Sequence, residues 1–350
     1  MESLLTLQKR INSAYYKKKG GAIYDDFLTF VSRCDKLATA NARDFSKYLS
    51  ENPGIEKARV LETGVGDGSF ALNFLKELER TGDISRVEYI LCDFSEKMLS
   101  DAQKKLSDFK DVVSTRTVDF SDMASVSALG SSLSGDVHYL RMNELLTDLP
   151  AQVFVRKADR IFEVLYDFSG KENSPIKKSV AQATAPESVS KFLSHPSLED
   201  YEIPFNFVAL SSIMELRKLL APGGYIDIFD YGFATLDSIV DMPQDMWNEN
   251  IVREYGGQLT TDLNFVLIAA GGNAAGLDSA IDLQTDYVSD ALKQEIIPLM
   301  LDDGLYYFTR EEAEKKKKEL VKEGYDLNEL FDREVIADDG FWHLRFKSEE

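Results

Sequence analysis

Ala58-Arg-Val-Leu-Glu62-Thr-Gly64-Val-Gly66-Asp-Gly68 sets a short apolar run, an acidic residue and three alternating glycines side by side. The run 58–63 has the length of a buried strand. Ala71, Phe74, Leu75 and Leu78 after it lie on one face of a helix. The glycines therefore fall in a strand-to-helix turn. Residues without a Cβ let the backbone turn tightly and meet a ligand there, and the helix start offers free N–H groups. A dinucleotide site prefers GxGxxG, but Ser69 takes the last position of that pattern.

Outward from this turn, strands and helices alternate. Residues 87–93 read as a second strand, and Met98, Leu99, Ala102 and Leu106 as a second helix with Ser95 at its cap. Residues 111–119 and 136–143 read as a third and a fourth strand. This alternation predicts an α/β fold, doubly wound around a mostly parallel sheet. Two helical stretches precede it, one through Leu4, Leu7, Ile11 and Ala14, the other through Phe27, Phe30, Cys34, Ala38, Asn41, Phe45 and Tyr48. They predict an N-terminal helical cap over 1–54, before one domain over 55–350. Residues 151–168 read as a hairpin. The Ser-, Lys-, Glu- and Pro-rich stretch 169–200 reads as a long mobile loop, so an insertion of about 151–200 interrupts the domain. Beyond it follow a helix to about Leu220, the Pro222-Gly223-Gly224 turn, a strand at 225–232, a helix near 309–322 and a strand at 341–346.

Composition narrows the function classes. Of 350 residues 44% are hydrophobic, which is enough for a sizeable core. A net charge of −20 argues against nonspecific nucleic-acid binding; its plainest reading is an acidic surface that keeps the protein in solution, and it would suit a basic partner too. The two cysteines and three histidines are scattered, so neither a disulfide framework nor a metal site is expected. The N-terminus lacks a signal-peptide core and no apolar run is long enough to span a bilayer; the expected setting is the cytoplasm, with no membrane partner.

Acidic residues close three strands in succession. Glu62, two places before Gly64, resembles the acidic residue of the first motif of class I methyltransferases. That resemblance implies a seven-stranded sheet and S-adenosyl-L-methionine as cofactor, its methionine portion held by Gly64, Gly66 and Gly68. Asp93, followed by Phe94, ends the second strand, where a carboxylate can accept both ribose hydroxyls. Asp119 ends the third, placed in this fold to reach the adenine amino group while Phe120 packs on the ring. Alone, an Asp at a strand end is equally a turn residue or a helix cap; the ordered set carries the reading. The fourth strand ends in Asn143-Glu144. Asn143 is assigned to the cofactor, and Glu144 to orienting a nucleophilic nitrogen or taking its proton. The plainer reading is that both cap the next helix.

Asn143-Glu144-Leu-Leu-Thr-Asp148-Leu-Pro150 resembles the NE(F/L)xDALP segment of the MidA-like methyltransferases. Glu202-Ile-Pro204 is similar to that family's EISP segment, Ile228–Gly232 to its IDYG strand end, and Leu259–Phe265 to its DLTxHVDF segment. The N-terminal GDFxTAPE segment has only a loose echo at Tyr24–Phe30. The resemblance implies N-methylation of a protein side chain, arginine foremost. Glu202 and Tyr231 are then substrate residues, and Asp230 a second catalytic carboxylate that neutralises a cationic acceptor. On the residues alone, Asp230 could equally cap a loop beside a partly buried Tyr231. Two other functions stay open: a small-molecule O- or N-methyltransferase, and a noncatalytic assembly or adaptor protein that keeps the pocket.

Overall fold

A computed structural model describes residues 1–19, 35–133, 135–171, 173–301, 304–326 and 340–348. Phe27, Phe30, Cys34 and the Tyr24–Phe30 echo lie outside them. Seven strands form the continuous row of the main, eight-stranded sheet: β1 (Ala58–Thr63), β2 (Val87–Asp93), β3 (Val113–Thr117), β4 (Val137–Asn143), β5 (Leu220–Phe233), β6 (Leu277–Leu283) and β7 (Phe341–Ser348); the eighth, the short Leu263–Asn264, pairs with the end of β5. Their spatial order is β3-β2-β1-β4-β5-β7-β6. Neighbours from β3 to β5 are parallel, and β7 runs antiparallel to both β5 and β6. The winding reverses between β1 and β4, which opens a crevice beyond their C-terminal ends.

Each central strand is apolar on both sides because helices cover both faces. Val60, Tyr89, Leu91 and Tyr139 point to one face, where Phe45 and Phe74 pack. Leu61, Ile90 and Leu140 point to the other, under the helices Met123–Leu133, Phe207–Leu216 and Phe265–Ala274. The expected cap at Ser95 is present, its hydroxyl accepting from Met98 N at 3.3 Å. Pro222-Gly223-Gly224 does not separate a helix from a strand. It lies within β5 as a register shift between Leu220 and Tyr225.

The predicted hairpin pairs Gln152–Lys157 with Arg160–Asp167, and it nucleates a second, five-stranded sheet. Residues 169–200 are not one long loop. Lys177–Gln182 pairs with Arg160–Asp167, and Glu187–Leu193 is a helix. The strand escapes a hydrophobicity-based reading because it is largely exposed and polar; its ladder comes from backbone bonds alone. The cap read over 1–54 divides between the two sheets. Leu4, Leu7 and Ile11 of the first helix, Leu4–Lys19, pack on the second sheet, and Glu2–Ser3 adds a short strand to it. The helix Asp35–Glu51 packs on the main sheet. No helix among the described residues is long and apolar enough to cross a membrane.

Candidate active site

The crevice at the reversal point is a cavity. Glu62, Gly64, Gly66, Asp93, Phe94, Asp119, Phe120, Asn143, Glu144 and Tyr231 line it, so ten of the residues singled out from the sequence meet there. Gly64 and Gly66 have φ of 71° and 54°, values that side chains rarely adopt, and a Cβ on Gly64 would sit 3.3 Å from Leu145. Gly68 serves packing: it caps the helix Ser69–Thr81, and a Cβ there would meet that of Ala102 at 2.9 Å.

Glu62 is 1% exposed and forms the floor. Arg141 Nη1 donates to it at 3.0 Å and the Tyr89 hydroxyl at 2.8 Å. Arg141 itself lies 3.1 Å over the Phe70 ring. Burial pushes the Glu62 carboxyl up to about 7 against the pull of Arg141. Asp93, also buried, accepts from Ser95 N at 2.8 Å, and burial lifts its carboxyl to about 6. Asp119 stands two residues past β3; it accepts from Ser121 N and the Ser121 hydroxyl at 2.9 and 2.6 Å while lining the cavity. The turn-residue reading therefore holds, and the residue also faces the cavity.

Beyond β4 the wall is strained. Glu144 has φ 46°, uncommon for a residue with a side chain, and its N–H donates to Phe229 O at 2.8 Å. That bond ties the turn to β5. Asn143 donates to Glu144 Oε1 at 3.3 Å, and its buried Oδ1 has no partner among the described residues.

Besides Gly68, two expected residues lie elsewhere. Asp230 does not line the cavity. It is 1% exposed and accepts from Leu146 N at 3.0 Å, the Thr147 hydroxyl at 2.9 Å and Tyr231 N at 3.0 Å. Burial and the nearby Glu144 carboxylate push its pKa well up. Asp230 therefore anchors the turn after β4 from beneath, as the loop-capping alternative anticipates. Glu202 belongs to the second sheet, where it pairs with Lys178 at 2.8 Å and accepts through its main-chain oxygen from Trp247. Its "EISP" likeness marks a packing position.

The sequence reading missed the roof. Gln8, Asn12 and Tyr16, one turn apart on the first helix, all line the cavity. Gln8 donates to Thr147 O at 3.0 Å and Asn12 to Asp148 O at 3.0 Å, so the helix is bonded to the turn after β4. Both also donate to Leu259 O. Polar residues at 8, 12 and 16 beside the apolar stripe are the signal that could have revealed this face. Asp148, Tyr255 and Gln258 complete the wall.

A strand-order reversal with a glycine turn and acidic strand ends at its mouth defines the class I methyltransferase architecture. Residues 42–281 match the family described as "Putative S-adenosyl-L-methionine-dependent methyltransferase", and this chain belongs to it. The MidA-like resemblance of its motifs agrees. A Burkholderia thailandensis structure bound to S-adenosyl-homocysteine is similar, with TM-score 0.67 and 15% identity over 99% of this chain and 87% of that one. A second, native structure from the same organism gives TM-score 0.64 and 16% identity over the same shares. No curated protein matches by sequence. As a member of that family, the chain is an S-adenosyl-L-methionine-dependent methyltransferase.

Proposed function

We propose that this methyltransferase N-methylates a protein side chain, with arginine the leading acceptor. The observation that carries the reading is the composition of the cavity beyond the glycine turn. Glu144 and Asp148 stand there among Tyr16, Tyr231 and Tyr255. Carboxylates with aromatic faces recognise a planar cation, through paired N–H bonds and ring contact. The charge of −20 would draw a basic partner toward it.

The residues present also suit the cofactor. Gly64 and Gly66 bring bare backbone to the cavity wall, in a conformation that side chains rarely adopt. Asp93 offers a carboxylate for the ribose hydroxyls, Asp119 one for the adenine amino group, and Phe120 and Met98 an apolar wall for the ring. When bound, S-adenosyl-L-methionine supplies an electrophilic methyl carbon. The protein's part is orientation: Glu144 accepts an N–H of the acceptor and turns its lone pair toward that carbon. Asp230 keeps Glu144 in place by fixing the turn, and the polar face of the first helix shields the cavity from water.

The test incubates cell extract with labelled cofactor, with and without the enzyme. A labelled protein that yields methylarginines on hydrolysis is expected. Label confined to small molecules would shift the acceptor class, and no transfer at all would favour the adaptor function.

A further inference from the structure

Asp148 is a cavity carboxylate outside the set assigned to the cofactor. It ends the short turn Leu146–Asp148 after β4, and the Tyr16 hydroxyl from the first helix donates to it. The same hydroxyl lies 2.7 Å from Gln258 Oε1. The Tyr16 ring meets Phe94, next to Asp93, edge-on at 5.8 Å. Tyr16 thus bridges the two ends of the cavity. The main chain of Asp148 is fixed as well, its carbonyl accepting from Asn12 at 3.0 Å and its N–H donating to Leu145 O at 3.2 Å. Burial raises its carboxyl to about 7, with Tyr16 and Thr260 pulling it down and Glu144 adding to the rise. A buried carboxyl so placed gains full charge, and a partner, when a cation arrives.

We propose that Asp148, held by Tyr16, is the specificity-determining residue for the acceptor: it accepts one N–H of a guanidinium group while Glu144 accepts another. The inference rests on the arginine reading above and adds to it. A neutral isostere of the same shape would leave this carboxylate without its countercharge, so charge and not shape decides entry. The first helix, through Tyr16, is then part of acceptor recognition.

The test titrates protein loaded with S-adenosylhomocysteine with acetyl-Gly-Arg-Gly-amide and with its citrulline counterpart. Wild type is expected to prefer the arginine peptide by about tenfold or more, the worth of a charged hydrogen bond. Asp148→Asn should erase that preference while S-adenosylhomocysteine affinity stays within about twofold, a change too small to signal a lost contact. Tyr16→Phe should keep the preference but weaken the arginine peptide a few-fold. A preference that survives in Asp148→Asn overturns the proposal and leaves the arginine reading standing. Loss of cofactor affinity in that variant overturns it too, since the residue is then structural. If wild type itself shows no preference, both readings fall.

Discussion

The two ends of the cavity are assembled in opposite ways. The glycine end draws on residues 62–120, at or soon after the ends of three neighbouring parallel strands. The Tyr16 end draws on residues 8–16 of a helix packed on the second sheet, 143–150 from the end of β4 onward, and 231–258 from the last residues of β5 onward. One end is a local consequence of strand, turn and helix in succession. The other exists only once two sheets have docked. Damage to the first should strike cofactor binding alone, and damage to the second should strike turnover with the cofactor still bound.

The largest effect belongs to the glycine end. Gly66→Val puts a branched side chain at φ 54°, in backbone that faces the cavity. Calorimetry with S-adenosylhomocysteine should find binding reduced beyond about 100-fold, that is by more than ~2.7 kcal/mol. Thermal melting should confirm that the variant remains folded. Binding like that of wild type would break the contrast at its root.

Glu144→Gln should give the reverse pattern, a loss of turnover on the order of 100-fold, as expected when a positioned acid–base group is removed. Its affinity for S-adenosylhomocysteine should not change. Single-turnover assays on the labelled acceptor make the comparison, and full activity would return Glu144 to a structural role in the turn.

Asp93→Ala sharpens the first end at smaller amplitude. Two ribose hydroxyls lose a charged acceptor, worth about 1.5–3 kcal/mol, so affinity should fall about tenfold or more. Equal binding by Asp93→Ala and wild type would place the ribose elsewhere.

The smallest effect is one of pH. Burial holds the Asp93 and Glu62 carboxyls near 6 and 7, so both gain protons as pH drops from 8 to 6. S-adenosylhomocysteine affinity should weaken several-fold over that range. The unliganded protein responds in the opposite sense. Because both folded values lie above those of an unfolded chain, the stability these groups contribute is greatest in acid and is lost as pH rises through about 6–7. A flat affinity profile would mean that neither charge meets the cofactor.

The same contrast sets what could be read from the sequence. Glu62, Asp93 and Asp119 were legible because a parallel strand delivers its last residue to one known edge, and strand periodicity locates that edge. Gln8, Asn12 and Tyr16 were not, since helical spacing shows which residues share a face but not what that face meets. Asp230 and Glu202 were misplaced for a related reason. A motif marks a position in the chain, whereas the direction of the side chain depends on neighbours such as Thr147 and Lys178. The second sheet stayed hidden where its strand 177–182 is polar on both sides.

The placement of β7 has a kinetic consequence. It fills the slot between β5 and β6, and among the described residues β6 pairs with no other strand. Arg345 and His343 on β7 both bond to Asp227 on β5, which fixes the register from within the sheet. β6 therefore reaches the sheet only through β7, and β7 meets β5 only after a long loop has closed. Any state of this chain in which β7 has not docked leaves the flank of β5 as an unpaired edge, open to pairing with another copy.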